Sequence, residues 1–189
     1  MVGGWVLGID HGADGAAVIL RGSTAVAAMR WKPCVRNGVK RLDLRISRGD
    51  QFDRRVVSRF SDLGFELVAL LCELGADEIS LAIEDVYLGK NVATTMTLAK
   101  RAGAIIAPIE RKFDVDAVWV SAGEWRAITL GLPRNTKRAV VKRVSAKLIP
   151  ARVRGLRVLA EKVGNADHVT DAAGVADWAR VTGQGGKKW

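Results

Sequence analysis

The chain opens with an apolar stretch that constrains its fold more than any other feature. Trp5-Val6-Leu7-Gly8-Ile9 runs directly into the carboxylate of Asp10. Strand-forming side chains in a short, nearly continuous apolar run are typical of a central strand that is buried on both faces. An acid at the end of such a strand is costly to bury unless it is paired or binds a metal ion. Asp10 could equally cap a turn, so its role depends on the rest of the chain.

A second acidic strand end lies in the middle of the chain. Residues 78–84 alternate and predict a strand in which Ala82 and Glu84 share one face, while Asp85 follows on the other. Only one of Glu84 and Asp85 can therefore join a site with Asp10. If this strand lies beside the first, Glu84 at its carboxyl end comes close to Asp10.

A third polar cluster lies at the head of a C-terminal helix predicted over residues 166–181. His168 and Asp171 are three residues apart, so they share one face of that helix. They could instead be first-turn residues that the helix dipole stabilises. Asp167 could be the N-cap of this helix. The order of the three stretches predicts that they meet at one place.

The combined side chains of these stretches point to metal chemistry. Three carboxylates gathered with an imidazole repel one another unless cations hold them together. Oxygen-rich donor sets of this kind suit Mg²⁺ or Mn²⁺. Two such ions per site can stabilise the attacking and leaving oxygens of a phosphodiester displacement. The acids therefore predict a nuclease.

Positive charge is concentrated in one long segment. The chain has a formal net charge of +10 and a pI of about 10.1, and residues 126–160 contain no carboxylate. The basic residues of that segment are Arg126, Arg134, Lys137, Arg138, Lys142, Arg143, Lys147, Arg152, Arg154 and Arg157. Solvated surfaces normally mix the two signs. A one-sign segment of this length therefore favours nucleic acid as the partner, ahead of an anionic membrane surface.

The remaining composition favours a cytoplasmic protein. The 189 residues suffice for one domain, predicted over residues 1–182, with a flexible tail over residues 183–189. The sequence has no apolar run long enough to cross a bilayer and no signal-peptide pattern. Cys34 and Cys72 lack metal-type spacing and are expected to be reduced thiols. We expect a location near the nucleoid or, for a viral protein, in the host cytoplasm.

The pattern along the chain predicts a single α/β domain with a mixed sheet. Strands are expected up to Asp10 and at residues 16–20, 24–30, 78–84 and 117–120, with helices at residues 51–74, 91–109, 136–148 and 166–181. Asp50 is the expected N-cap of the first helix, and Ser121 is expected to cap a further short one. Residues 31–49 are interpreted as a loop with at most a short strand at residues 42–46, and residues 149–164 have no clear pattern.

The predicted helix over residues 136–148 is amphipathic and basic. Its apolar residues, which are expected to face the core, are Val140, Val141, Val144 and Leu148. Its basic pairs on the other side are four residues apart, Arg138 with Lys142 and Arg143 with Lys147. This helix is therefore the part of the basic segment best suited to contact phosphates.

Three motifs in this order resemble those of the RuvC-type Holliday junction resolvases, within the ribonuclease H-like superfamily. The motifs are Leu7-Gly8-Ile9-Asp10-His11-Gly12, Ala82-Ile83-Glu84-Asp85-Val86-Tyr87 and His168-Val169-Thr170-Asp171-Ala172-Ala173-Gly174-Val175-Ala176. His11 stands where the family usually has proline. The likeness covers most of the chain and is weakest over residues 31–49 and 149–164. It implies a ribonuclease H-like fold with a mixed five-stranded sheet flanked by helices.

The resemblance also implies roles for individual residues. Metal binding is implied for Asp10, Glu84, His168 and Asp171, and a position near the scissile phosphate for Lys137. Arg126 would contact phosphate where the family usually has lysine. Tyr87 matches an aromatic that stacks on bases, although an ordinary half-buried tyrosine is the alternative. Together with the basic segment, the expected DNA-binding set is Tyr87, Lys90, Arg126, Arg134, Lys137, Arg138, Lys142 and Arg143.

The family cleaves junctions as a symmetric homodimer, which matches the two-fold symmetry of a four-way junction. The sequence therefore predicts a Mg²⁺- or Mn²⁺-dependent endonuclease acting on four-way or branched DNA. One alternative is a protein that binds junctions without cleaving them. Another is an actin-like phosphotransferase or ATPase, since those enzymes also begin with such a strand. Their two-domain architecture needs a longer chain and a second phosphate loop.

Overall fold

The computed structural model describes residues 4–85, 92–164 and 166–184, and this part of the chain forms one mixed sheet between two layers of helices. The strands are β1 (Trp5–Asp10), β2 (Gly15–Arg21), β3 (Thr24–Arg36), β4 (Val39–Arg48), β5 (Gln51–Val57), β6 (Ile79–Glu84) and β7 (Val118–Val120). The helices are α1 (Phe60–Glu73), α2 (Val92–Phe113), α3 (Ala122–Leu130), α4 (Arg138–Arg152), α5 (Leu156–Val163) and α6 (Ala166–Thr182). The strand order is β5-β4-β3-β2-β1-β6-β7.

The pairing of β1 decides where the acidic strand ends meet. β1 is antiparallel to β2 and parallel to β6, with Ile9 level with Ile83. Asp10 and Glu84 are the next residues of these two parallel strands, so both lie at the same end of the sheet. We call this the carboxyl end of the sheet, the end at which β1 and β6 finish.

Alternation along the central strands divides the core into two layers. Leu7 and Ile9 pack with apolar residues of α1 and α2, whereas Val6 packs with residues of α3 to α6. We call the side covered by α3 to α6 the α6 face. Asp10 lies four residues after Val6 along β1, so the two side chains share one face of the sheet. Glu84 shares a face with Ala82 in the same way, and Ala82 packs in the same layer as Val6. Both carboxylates therefore point to the α6 face.

Gly8 allows α6 to lie directly on β1. A Cβ atom at Gly8 would lie 2.3 Å from the carbonyl oxygen of Ala172 and 2.5 Å from the backbone nitrogen of Ala176. No side chain fits at these distances, so the close approach of the helix requires glycine. His168 and Asp171 precede Ala172 by one turn and by one residue. The contact thus holds both side chains at the carboxyl end of β1.

The sheet has seven strands rather than the predicted five, because residues 31–57 are strand where a loop and a helix start were expected. β3 continues to Arg36 and pairs with the ten residues of β4. Leu42, Leu44 and Ile46 alternate with polar residues and are buried in the α1 and α2 layer. The prediction of a loop is therefore wrong, and the short strand expected at residues 42–46 is the middle of β4.

The predicted helix over residues 51–74 is wrong in its first part, which forms β5 antiparallel to β4. Asp50 is not a helix cap. It lies with Gly49 in the two-residue turn that joins Arg48 to its partner Gln51. Gly49 has a φ of 53°, which is the conformation that tight hairpin turns require and glycine adopts without strain.

The helix itself begins at Phe60, where local hydrogen bonds fix its start. The carboxylate of Asp62 accepts the backbone N–H groups of Ser58 and Arg59 at 3.0 and 2.9 Å. An acid in the first turn satisfies donors that a helix start leaves unpaired and suits the helix dipole. From here the predicted apolar period is confirmed, with Leu63, Leu67 and Leu71 fully buried.

The other predicted elements are confirmed with shifted ends. β1, β2 and β6 lie where they were expected, and Ser121 caps α3 by accepting the N–H of Glu124 at 3.2 Å. The helix expected over residues 91–109 extends to Phe113. Residues 149–164, which had no clear pattern, complete α4 and form α5.

The basic helix α4 differs in part from its prediction. It spans Arg138–Arg152 rather than residues 136–148. Val141 is buried, and Val144 and Leu148 pack partly against the α6-face core, but Val140 is 40% exposed and does not face the core. The four basic side chains expected on the other side are exposed, namely Arg138, Lys142, Arg143 and Lys147.

Cys34 and Cys72 are both free thiols. Within the described residues, no helix combines the length and apolar character needed to cross a membrane.

Candidate active site

Three elements bring acidic and imidazole side chains together at the carboxyl end of the sheet. Asp10 ends β1, Glu84 ends β6, and His168 and Asp171 lie in the first turns of α6. The Nδ1 atom of His168 is 2.6 Å from Oδ2 of Asp10, so the first and third motifs are in direct contact. The side-chain exposures are 15% for Asp10, 17% for Glu84 and 29% for Asp171, so the cluster is largely shielded from solvent.

Arg126 supplies the nearest positive charge to two of these carboxylates. Its Nη2 atom lies 3.8 Å from Oε1 of Glu84 and 3.9 Å from Oδ2 of Asp171. Arg126 is on α3, and its guanidinium lies over the Trp125 ring at 5.0 Å. Its Nε atom is buried and has no hydrogen-bond partner among the described residues. The guanidinium is therefore held between the two acids by charge and by stacking.

Two acids of this cluster, Glu84 and Asp171, have pKa values well above those of surface carboxyls. Burial, with the charges of Asp10 and Asp171, raises the pKa of Glu84 to about 7. Burial and the charge of Asp10 raise the pKa of Asp171 to about 6. The hydrogen bond to Asp10 raises the pKa of His168 above its ordinary value. Burial and the repulsion between these carboxylates both disfavour the ionised forms of Glu84 and Asp171.

The sequence left open whether Asp85 and Asp167 belong to the site, and the structure places both of them outside it. Asp85 is exposed, and its backbone N–H donates to the carbonyl of Val120 at 2.8 Å. Asp167 lies in the first turn of α6 and pairs with Lys142 of α4 at 2.5 Å. Neither acid contacts the cluster around Asp10, so Glu84 is the one that joins it.

A cleft of about 150 Å³ joins this cluster to the basic helix α4. His168 and Asp171 line it from α6, Arg138 and Lys142 from α4, and Arg126 from α3. The cleft thus has an acidic wall and a basic wall. A chain of phosphates could lie against the basic wall while one phosphate approaches the acids.

The remaining predicted DNA-binding residues lie around this cleft or beyond the described part of the chain. Lys137 is the exposed N-cap residue of α4, next to Arg138, and Arg143 is exposed further along the helix. Arg134 is exposed, with its aliphatic carbons close to Gly123 of α3. Tyr87 and Lys90 lie outside the described residues.

Two buried features near the site were not singled out from the sequence. His11 is 6% exposed, burial lowers its pKa, and its Nδ1 atom has no hydrogen-bond partner among the described residues. The Trp31 indole donates to the carbonyl of Gly12 at 3.1 Å, which fixes the loop after Asp10. The alternation of residues 42–47 would have revealed the long β3–β4 pairing to which Trp31 belongs.

The donor set fits a hard divalent cation, since carboxylate oxygens and one imidazole suit Mg²⁺ or Mn²⁺. Burial and mutual repulsion disfavour the ionised forms of Glu84 and Asp171, and a bound cation would favour them. As placed in residues 4–85, 92–164 and 166–184, no three acidic, histidine or cysteine side chains stand close enough to enclose one ion. Asp10 is engaged by His168 and the other two acids face Arg126, so these side chains would have to exchange partners to hold a cation.

The sheet order and its helical layers define an α/β fold of the ribonuclease H-like type. Within that class, the chain has the fold of RuvC. It superposes on T. thermophilus RuvC in complex with Holliday junction substrate with a TM-score of 0.54 and 14% identity, covering 94% of this chain and 96% of that one. A second Thermus thermophilus RuvC structure gives a TM-score of 0.51 and 13% identity, covering 96% and 98%. The resemblance inferred from the three motifs is thus supported by the fold.

At the level of sequence, no protein-family model and no curated protein matches the chain.

Proposed function

We propose that this protein is a metal-dependent, structure-selective endonuclease that nicks four-way or branched DNA. The observation that carries the proposal is the cleft between α4 and α6, in which His168 and Asp171 face Arg138 and Lys142. An acidic cluster by itself repels phosphates. A basic wall beside it allows DNA to approach, and the RuvC fold supports a branched DNA substrate.

The proposed metal ligands are Asp10, Glu84, His168 and Asp171. Two Mg²⁺ or Mn²⁺ ions bound there would stabilise the attacking and leaving oxygens of the phosphodiester and lower the pKa of the attacking water. The chain's own contribution is to shield the site and to orient the ligands. Asp10 and His168 already orient each other through their 2.6 Å contact. Gly8 fixes the distance between β1 and α6.

Basic side chains have separate proposed roles. Arg126 would leave the carboxylates and contact a phosphate, because its guanidinium is the positive charge nearest to both acids. Lys137 makes no ion pair with any described residue, so its charge is free to stabilise the scissile phosphate. Arg134, Arg138, Lys142 and Arg143 would contact the flanking backbone. Tyr87 and Lys90 are proposed for the junction centre on the resemblance alone.

We include a homodimer in the proposal, since two symmetric sites would match two strands of a two-fold junction. An apolar groove of about 630 Å³ between α1 and α2 supports a second copy of this chain as its occupant. Phe65 on its rim is 64% exposed, and Val68, Ala104 and Pro108 line it. Sedimentation velocity should show a dimer that Phe65→Glu converts to monomer. A monomeric wild type would contradict this part.

A gel assay with junction, fork, flap and linear duplex DNA tests the activity. We expect nicking of the branched substrates in Mg²⁺ or Mn²⁺, none in EDTA, and little on duplex. ATP turnover measured in parallel should be absent. Junction binding without nicking at any metal concentration would contradict the proposal in favour of a junction-binding protein. ATP turnover without nicking would favour a phosphotransferase.

A further inference from the structure

Three arginines lie side by side across the outer half of the sheet, in the same cross-strand row as Asp10. The row runs through four registered pairs, Asp10 with Ala16, Ala16 with Arg30, Arg30 with Arg45 and Arg45 with Arg54. We call Arg30, Arg45 and Arg54 the arginine row. Directly paired residues point to the same face of a sheet, so the arginine row lies on the α6 face, as Asp10 does.

The spacing of the strands gives the distance of each arginine in this row from Asp10. Neighbouring strands lie about 4.8 Å apart, which puts Arg30 about 10 Å and Arg54 about 19 Å from Asp10 along the sheet. Arg30 and Arg45 also approach the start of α6. A Cβ atom at Gly164 would lie 3.3 Å from an Nη atom of Arg45 and 3.6 Å from one of Arg30. The arginine row therefore begins beside the candidate active site and leads away from it.

The acids around the row do not balance its charge. Asp14 accepts two hydrogen bonds from Arg30, at 3.3 and 3.1 Å, and the buried Asp43 accepts two from Arg54, at 2.8 and 3.2 Å. Arg45 has only a 3.8 Å contact with the same Asp43, and its buried Nε has no hydrogen-bond partner in the described part of the chain. The three arginines and the two acids therefore leave one net positive charge, which is centred on Arg45.

The β3–β4 hairpin extends the basic surface past the carboxyl end of the sheet. β2 begins at Gly15, which pairs with Trp31. Beyond that pair, residues 32–36 pair only with residues 39–43. We call residues 32–43 the arm. Five residues of strand span about 16 Å, and the arm projects from the end of the sheet where Asp10 lies.

The cations of the arm divide between its two faces. Lys32 and Arg36 lie an even number of residues from Arg30 along β3, and Arg41 lies four residues from Arg45 along β4, so all three share the α6 face with the arginine row. Lys40 pairs with Val35 on the opposite face. Arg36 and Lys40 make no ion pair with any described residue. Arg41 bonds only to the hydroxyl of Ser58, at 2.6 Å. These charges are available to a partner.

We propose that the arm, together with Arg54 at the exposed end of the arginine row, forms a second phosphate-binding surface, separate from α4, that holds the backbone of one duplex arm of the DNA substrate. The inference rests on the proposed function for the identity of the DNA as branched. Guanidinium groups suit phosphate because they donate paired hydrogen bonds in a fixed plane. An array of them about 4.8 Å apart across strands follows a backbone rather than a single small anion.

The test compares matched charge removals on the two faces of the arm. The triple variant Lys32→Gln/Arg36→Gln/Arg41→Gln removes three cations from the α6 face. The single variants Lys32→Gln and Lys40→Gln form the matched pair, because each removes one lysine, the first from the α6 face and the second from the opposite face. Arg54 is left in place, because its removal would leave the buried Asp43 without its main partner. Each lost phosphate contact should reduce the slope of log affinity against log salt by about 0.9.

We expect the triple variant to flatten the slope by up to about 2.7 and Lys40→Gln to leave it unchanged. Hydroxyl-radical footprinting should show shortened protection on a duplex arm for the triple variant only. Single-turnover cleavage at saturating enzyme should be unchanged, since the arm does not touch the acids. Circular dichroism melts verify that all three variants fold.

The outcomes separate this inference from the proposed function. An unchanged slope and footprint in the triple variant would overturn the second surface, even if the wild type cuts junctions normally. An equal effect of Lys40→Gln and Lys32→Gln would overturn the assignment to one face. A flattened slope in a protein that never nicks DNA would support the surface while the proposed nuclease activity fails.

Discussion

The centre and the outer edge of the sheet carry opposite charges in opposite environments. β1 and β6 are parallel, covered by helices on both faces, and end in Asp10 and Glu84, and burial raises the pKa of Glu84 to about 7. β4 and β5 are antiparallel, lie at one edge, and carry arginines, of which Arg54 and Arg55 are exposed. Glu84 in the centre and Arg54 at the edge both point to the α6 face.

Under the proposed function, this difference means that one sheet places the cleavage reaction and the binding of DNA in different regions. Negative charge in the centre is shielded, so a bound cation there would act in a medium of low polarity, where its effect on a phosphate is strong. The basic side chains of α4 and Arg54 and Arg55 at the edge are exposed to solvent, and they would act on DNA through counterion release. Substitutions in the centre should therefore change the rate, and substitutions at the edge or on α4 should change binding.

The largest expected effect is on the acids of the centre. Asp10→Asn, Glu84→Gln and Asp171→Asn should each abolish cleavage, because each removes a proposed metal ligand. Junction binding should stay near normal, since the loss of negative charge cannot weaken attraction for phosphate. Cleavage and binding are measured on the same labelled junction. Substantial cutting by any variant at saturating Mg²⁺ would remove that residue from the ligand set.

Lys137 should show a large effect on the rate with little effect on binding. Lys137→Ala should lower the single-turnover rate at saturating enzyme by on the order of a hundredfold, as for other charges that stabilise a transition state. Lys137→Arg should recover part of it, because the guanidinium is larger and differently shaped. If affinity falls in step and the maximal rate stays intact, Lys137 belongs with the binding residues.

The basic wall of α4 should show the reverse pattern. Replacing Arg138, Lys142, Arg143 and Lys147 together should flatten the salt dependence of binding by up to about 3.6, at about 0.9 per contact. The change falls short of this if Lys142 keeps its pairing with Asp167. Fluorescence anisotropy from low to moderate salt measures the slope. An unchanged slope would mean that this face of α4 meets solvent or a protein.

The smallest expected effect links pH to metal binding in the centre. The pKa of Glu84 is raised from 4.5 to about 7 and that of Asp171 from 3.8 to about 6. In the metal-free protein, the protonated forms of these two groups stabilise the fold at low pH. Their contribution to the free energy of unfolding is lost as pH rises through 6 and 7. Mg²⁺ binds the deprotonated acids, so its affinity should rise by about tenfold per pH unit for each proton released.

Thermal melts with and without Mg²⁺ measure this linkage without any substrate. The Mg²⁺-induced rise in Tm should be larger at pH 8 than at pH 5.5. Glu84→Gln removes one of the titrating groups and should reduce both the rise and its pH dependence. A rise in Tm that is the same at both pH values would contradict proton release by these acids.

The central elements could be predicted because local pattern and tertiary context agree there. β1 and β6 are short apolar runs with acids at their ends, and α6 has a helical pattern, so their placement followed from period and order. The contact of Asp10 with His168 depends on Gly8 and Ala172 lying within van der Waals distance, which no pattern specifies.

The outer strands could not be predicted by the same reasoning, for identifiable reasons. Phe52 and Val56 lie four residues apart and extend the helical period of α1 backward, although both belong to a β-strand. Gly49 and Asp50 suit a hairpin turn as well as a helix start. The charges of β4 and β5 are spread along the sequence and form a row only through strand register, so the second basic surface was invisible before the pairing was known.

The contact between Gly8 and α6 also bears on how the site can be lost. Local opening of a protein frees the least buried parts first, while core elements open only with the whole fold. His168 and Asp171 belong to a helix whose Ala172, Ala173 and Ala176 are fully buried against the sheet. We therefore expect the part of α6 that carries His168 and Asp171 to open only together with the core.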